Sequence, residues 1–109
     1  MENKGSKRYY TDYCNHLWRF YVRTPHFADR MADTVREADR RGFASCAKVF
    51  GTLTKTEREI ICEFHGMDVN IPFPDRVGTV ASITCMNAKD VCGILARINT
   101  KLAEVRGLI

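Results

Sequence analysis

Residues 87–107 read NAKDVCGILARINTKLAEVRG, and this stretch decides the fold class. Val91, Ile94, Leu95, Ile98, Leu102 and Val105 recur at three and four residues without a break, the period of one helix face. Asn87 suits an N-cap because its short polar side chain can accept from an orphan amide, and Gly107 supplies a stop. A helix is therefore predicted from Ala88 to Arg106. Its outward positions are Lys89, Asp90, Gly93, Arg97 and Lys101.

Working back from that helix, Asp75 to Thr84 carries Val77, Val80, Ala81 and Ile83, which predicts a short helix capped by Asp75. Further back, Thr54-Lys55-Thr56-Glu57 is a capping box, in which the Thr hydroxyl accepts from the third helical amide and Glu reaches back. The helix it opens has Ile60, Ile61 and Phe64 as apolar positions and ends at His65-Gly66. Between these two helices, Met67 to Asp75 contains Pro72 and Pro74 and reads as an ordered loop. Met67, Val69, Ile71 and Phe73 alternate there, which also permits a brief strand, but no partner strand is evident.

The first half is aromatic and basic. From Arg8 to Arg23, Tyr10, Tyr13, Cys14, Leu17, Trp18, Phe20 and Tyr21 recur at helical spacing. So dense a band fits a helix buried on more than one side, and it also fits a partner-binding surface, because Trp, Tyr and Arg are enriched at interfaces. Thr24-Pro25 ends this helix and starts another, with Phe27, Met31, Val35 and Ala38 on one face. Arg40-Arg41-Gly42 is a weak point, after which Phe43, Cys46, Ala47 and Phe50 resume the pattern as far as Gly51, so the stretch fits one long helix or two shorter ones. The polar Met1–Lys7 reads as a disordered tail. The chain is thus predicted to be one all-α domain of about five helices over residues 1–109. Its aromatic and basic helices span 8–50, and a helix-turn-helix-like half spans 53–106.

The composition of the 109 residues, 45% apolar and 28% charged, is that of an ordinary globular chain. No apolar run reaches the roughly 18 residues needed to cross a bilayer, and the polar start is no secretory signal. Membrane insertion and export are therefore not expected. Cys14, Cys46, Cys62, Cys85 and Cys92 are odd in number and form no C-x-x-C pair, the pattern of free thiols in a reducing cytoplasm. Nothing has the spacing of a zinc site. No cofactor is expected. His16, His26 and His65 lack a matched nucleophile or acid in a readable motif, and Glu57 is explained as a cap, so no catalytic residue is assigned. The net charge of +4 lies in residues 1–50, which hold ten Lys/Arg against six Asp/Glu; residues 51–109 hold seven of each.

Short helix, tight turn and longer helix, in that order, is the helix-turn-helix arrangement, whose second helix enters the major groove. LTKTEREII at residues 53–61 resembles the opening of the C-terminal promoter-binding module of bacterial sigma factors. Val91, Ile94, Leu95, Ile98 and Leu102 resemble the last helix of that module. YYTDYCNHLWRFY at residues 9–21 and the closing Arg106-Gly107-Leu108-Ile109 are similar to small sigma-factor-like proteins of phages and integrative elements of Firmicutes. The resemblance implies a helical, non-enzymatic protein of a mobile element that binds double-stranded DNA or RNA polymerase. On that reading Asn87, Lys89 and Arg97 face bases or phosphates, and Arg76 and Lys101 position the backbone.

A neutral recognition helix, the aromatic band of Trp18, Phe20 and Tyr21, and the apolar loop from Met67 to Phe73 motivate a second expectation. The relevant half is electrically neutral, and Asp90 and Gly93 stand on its outward face, where phosphate binding favours Lys and Arg. The alternative is an inhibitor of host defence, of the anti-CRISPR kind acting on a Cas nuclease. It would dock through Trp18, Arg19, Arg36, Arg40, Arg41 and Phe73. A homodimer through the aromatic helix is the third reading.

Overall fold

The computed structural model describes residues 3–24 and 37–109. They form five α-helices: α1 (Asn3–Arg23), α2 (Glu37–Phe50), α3 (Lys55–Gly66), α4 (Phe73–Thr84) and α5 (Ala88–Val105). No strand occurs among the described residues, so the class is all-α and 67–72 is a loop. The helix face expected on Phe27, Met31 and Val35 lies outside the described residues.

Several boundaries differ from the sequence reading. The backbone of α1 is helical from Asn3, so most of the stretch expected as a tail continues the helix. Once a helix is anchored, each added residue gains a hydrogen bond without a new nucleation cost. At Arg40-Arg41-Gly42, where the sequence leaves one helix or two open, α2 runs through without a break, and Gly42 has a packing role. A Cβ built there would lie 2.8 Å from Leu17 Cδ2, so the missing side chain lets α1 and α2 approach closely. α4 starts two residues before the expected cap: Pro72 occupies the N-cap position and makes no side-chain cap bond. Asp75 lies within the first turn, where Pro74 has already fixed the backbone.

The capping box forms as read. Thr54 Oγ1 accepts from Glu57 N at 3.2 Å, and Glu57 Oε1 accepts from Thr54 N at 2.9 Å. Asn87 Oδ1 accepts from Asp90 N at 2.8 Å and starts α5. The C-terminal ends of α4 and α5 share one design. Leu108 N donates to Ala103 O and Gly107 N to Glu104 O, with Gly107 at φ 75°. Met86 N donates to Ala81 O and Cys85 N to Ser82 O, with Cys85 at φ 58°. Both are Schellman closures, and in the second a cysteine sits where a glycine is usual.

α1 lies against α2, α3 and α5, and α5 also packs on α2, α3 and α4. The core joins Cys14, Leu17 and Trp18 of α1 to Cys46 and Val49 of α2 and to Ile60, Ile61 and Phe64 of α3. Val77 and Val80 of α4 and Val91, Leu95, Ile98 and Leu102 of α5 complete it. Burying each large apolar side chain stabilises the fold by roughly 1.5–3 kcal/mol. Polar contacts fix the register of α1 on α5. Asn99 Nδ2 donates to Asn15 Oδ1 at 2.9 Å, and Arg106 Nη2 to Tyr13 Oη at 3.3 Å.

Candidate functional site

α4, the three residues Cys85-Met86-Asn87 and α5 form a short helix, a tight connection and a longer helix. α5 buries Val91, Leu95, Ile98 and Leu102 and leaves Lys89, Asp90, Gly93 and Arg97 exposed. These four residues, with Met86 and Ile94, line an open depression at the start of the helix. Apart from its chain neighbours and the backbone of its own helix, no atom of the described residues lies within 4 Å of where a Gly93 Cβ would be. A glycine inside a helix costs about 1 kcal/mol relative to alanine, and no contact among the described residues explains this one. Met86 and Ile94 carry no local signal that places them on this face.

The expected DNA-contacting residues do not form one set. Lys89 is exposed and has no carboxylate at ion-pairing distance among the described residues. Asn87 commits its side-chain oxygen to the cap. Arg97 is paired to Glu57 Oε2 across forty positions of sequence, although its side chain stays half-exposed. The Thr54 amide and then Arg97 hold the Glu57 carboxyl below its ordinary range. Glu57 is thus more than the cap predicted from sequence: it also neutralises the middle of the α5 face. Lys101 is half-buried and lines a different depression, with Lys48, Val49, Thr52, Glu104 and Val105. Arg76 is folded back over Phe64, 4.6 Å from its ring centre, and its Nε donates to Ile71 O at 3.1 Å. It therefore belongs with the end of α3 rather than with α5.

The residues expected to bind a protein partner also divide. Trp18 is 0% exposed and is core, not a surface anchor. Its ring stacks on His65 at 6.4 Å between centres and meets Tyr21 edge-on at 5.8 Å. The aromatic spacing of α1 marks a buried face because α3 and α5 cover it from two sides. Phe73, by contrast, is 49% exposed and touches Phe64 only edge-on, at 5.7 Å. Arg19 is half-buried on α1; Arg40 and Arg41 are half-buried and exposed on α2. Arg36 lies outside the described residues.

His65 is 1% exposed, and neither ring nitrogen has a partner among the described residues. Burial, then the charges of Arg19 and Arg76, push its pKa down to about 3, so it is a neutral core side chain at physiological pH. All five thiols are free. Burial pushes Cys14 up to about 11 and Cys46 up to about 12, which keeps both protonated. Cys62 and Cys85 are exposed. Among the described residues no three His, Cys, Asp or Glu side chains are grouped to hold a metal ion. None of the described helices is long and apolar enough to cross a membrane.

In comparisons with known proteins, no family model, curated protein or solved structure matches this chain.

Proposed function

We propose that this chain is a non-enzymatic nucleic-acid-binding protein of the transcription-associated kind, with α4 and α5 acting as a helix-turn-helix. The observation that carries this reading is the outward face of α5. It is a rigid, capped helix whose first turns expose Lys89 and an uncontacted Gly93 beside a three-residue turn. A glycine that no contact among the described residues requires allows close approach of something outside the molecule. Lys89 and Arg97 are the two cations on that face, and Arg97 must exchange Glu57 for a phosphate to take part.

The test is fluorescence-anisotropy titration with a pool of labelled duplexes over a range of salt. Two phosphate contacts predict a slope of log affinity on log salt of about −2, at about −0.9 per contact. Lys89→Ala should lower affinity and flatten the slope by about one. Absence of binding at low salt would overturn the reading.

A second reading is docking onto a protein, such as a nuclease of host defence. It is favoured by the pairing of Arg97 with Glu57 and by the apolar Met86 and Ile94 in the same depression.

A further inference from the structure

Between α3 and α4 the chain folds into a tight turn. Ile71 N donates to Asp68 O at 3.1 Å, and Asn70 N donates to Asp68 Oδ1 at 2.8 Å. Three apolar side chains there are left in water: Val69 is 46% exposed, Ile71 38% and Phe73 49%. Apolar side chains exposed singly are ordinary, but here three fall within five residues, two on the turn and one at the first residue of α4.

Three arginines gather at this patch. Arg23 Nη2 donates to Gly66 O at 3.3 Å and to Met67 O at 3.2 Å, which pins α1 to the start of the turn. Arg76 lies over Phe64 and donates to Ile71 O, which pins α4 to its end. Arg19 is within electrostatic reach of Arg76. Asp68 and Asp75 are near in sequence, yet no carboxylate pairs with any of the three among the described residues. The depression on α1 beside them is lined by His16, Arg19, Phe20, Arg23 and Thr24. Like charges held together without an acid repel one another, and an anionic partner would convert that repulsion into attraction. The same positive field acts on the interior, where it adds to burial in keeping His65 neutral.

We propose that Val69, Ile71 and Phe73, with Arg19, Arg23 and Arg76, form a docking site for an acidic amphipathic segment of another protein. The apolar side of the segment would cover the turn while its carboxylates meet the arginines. A phosphate backbone would satisfy the arginines but would leave the apolar side chains in water. The combination therefore fits a protein segment better than a nucleic acid. The site shares no residue with the α5 face and does not rest on the DNA reading.

The experiment is an amide-resolved NMR titration of the whole chain, with anisotropy for affinity. Three short helical peptides serve as probes. The first carries leucine at every third or fourth position and glutamate elsewhere. In the second, lysine replaces glutamate; in the third, serine replaces leucine. The first peptide should bind at least about tenfold more tightly than either of the others and shift the amides of residues 19, 23, 66–71, 73, 75 and 76. Val69→Asp and Arg19→Glu, at positions outside the core, should each weaken it about tenfold, whereas Lys89→Ala should leave it unchanged. Equal binding of the three peptides, or shifts confined to other surfaces, would overturn the proposal. So would a dimer in sedimentation equilibrium that Val69→Asp dissociates, because a second copy would then be the occupant.

Discussion

On α5, Arg97 reaches Glu57, and Lys101 acts on the same carboxylate. On α1, a helix packed directly against it, Arg23 is bound to main-chain carbonyls and Arg19 has another arginine as its charged neighbour. The two helices also differ on their inner sides. α1 buries an indole, a thiol and part of an aromatic band, whereas α5 buries an aliphatic stripe. A face whose charges are already neutralised can present shape and a single lysine; a face whose charges are not neutralised attracts an opposite charge. Basic composition alone would have assigned the same role to both.

The strongest way to break the comparison is through the inner side of α1. Trp18→Ala should cost about 3–5 kcal/mol in urea unfolding, the usual range for deleting a fully buried large aromatic. Lys89→Ala on the outer side of α5 should change stability by less than about 0.5 kcal/mol. A loss below 1 kcal/mol for Trp18→Ala would mean that the indole is not packed as described.

Acid should act on the same region. Unfolding restores His65 to its ordinary pKa near 6.5, whereas in the folded chain it lies at about 3. The unfolded chain therefore binds the extra proton between these values, and stability falls as pH falls through that window. The slope is at most about 1.4 kcal/mol per pH unit. Urea midpoints between pH 6 and pH 4 should show the decline, and His65→Leu should flatten it. Glu57 contributes in the same direction only below its own ordinary range, so an unaltered decline in His65→Leu would assign the effect elsewhere.

Removing the neutralising acid should make α5 resemble α1. Glu57→Ala should cost about 1–2 kcal/mol, because it deletes half of the capping box and the partner of Arg97. It should also raise the affinity of any duplex binding, since Arg97 no longer has to leave Glu57 to reach a phosphate. A variant whose duplex affinity matches the parent would show that the pair does not restrain Arg97.

The smallest effects are gains. Cys85→Gly should stabilise the chain by about 1 kcal/mol, the cost of a side chain in left-handed backbone. Gly93→Ala should add about 0.5–1 kcal/mol by helix propensity. If the α5 face is an interface, the second change should also weaken binding, so stability and affinity would move in opposite directions. If both rise together, the glycine has no interfacial role.

How much of this was legible in the sequence follows from the distance over which each signal acts. The Thr54–Glu57 box and the Asn87 cap are local, and each forms as read; the aliphatic repeat forms its helix, but Val105 is exposed and Ile94 turns to the outward depression. The Trp18 band announces a helix by its period, but period cannot tell whether a helix or solvent covers a face; α3 and α5 decide that. Gly42 reads locally as a weak point and acts globally as a contact. The Glu57–Arg97 pair spans forty positions and has no local mark. Cys85 in left-handed backbone could not be anticipated, because cysteine carries no such preference. For the α5 face the exposed residues were found, but their partners were not, which is why Arg76 and Lys101 were grouped with it.

The contact between Cys14 and the Asn99 carbonyl joins residues 85 positions apart. During synthesis α1 is made before α5, which covers part of it. At about 5–20 residues per second, the interval between the two is on the order of 4–17 s. Through that time the side of α1 that carries Tyr13, Cys14 and Asn15 has no α5 to shelter it on the nascent chain. Newly made copies are therefore at greatest risk of sticking to one another, or to chaperones, before α5 has emerged.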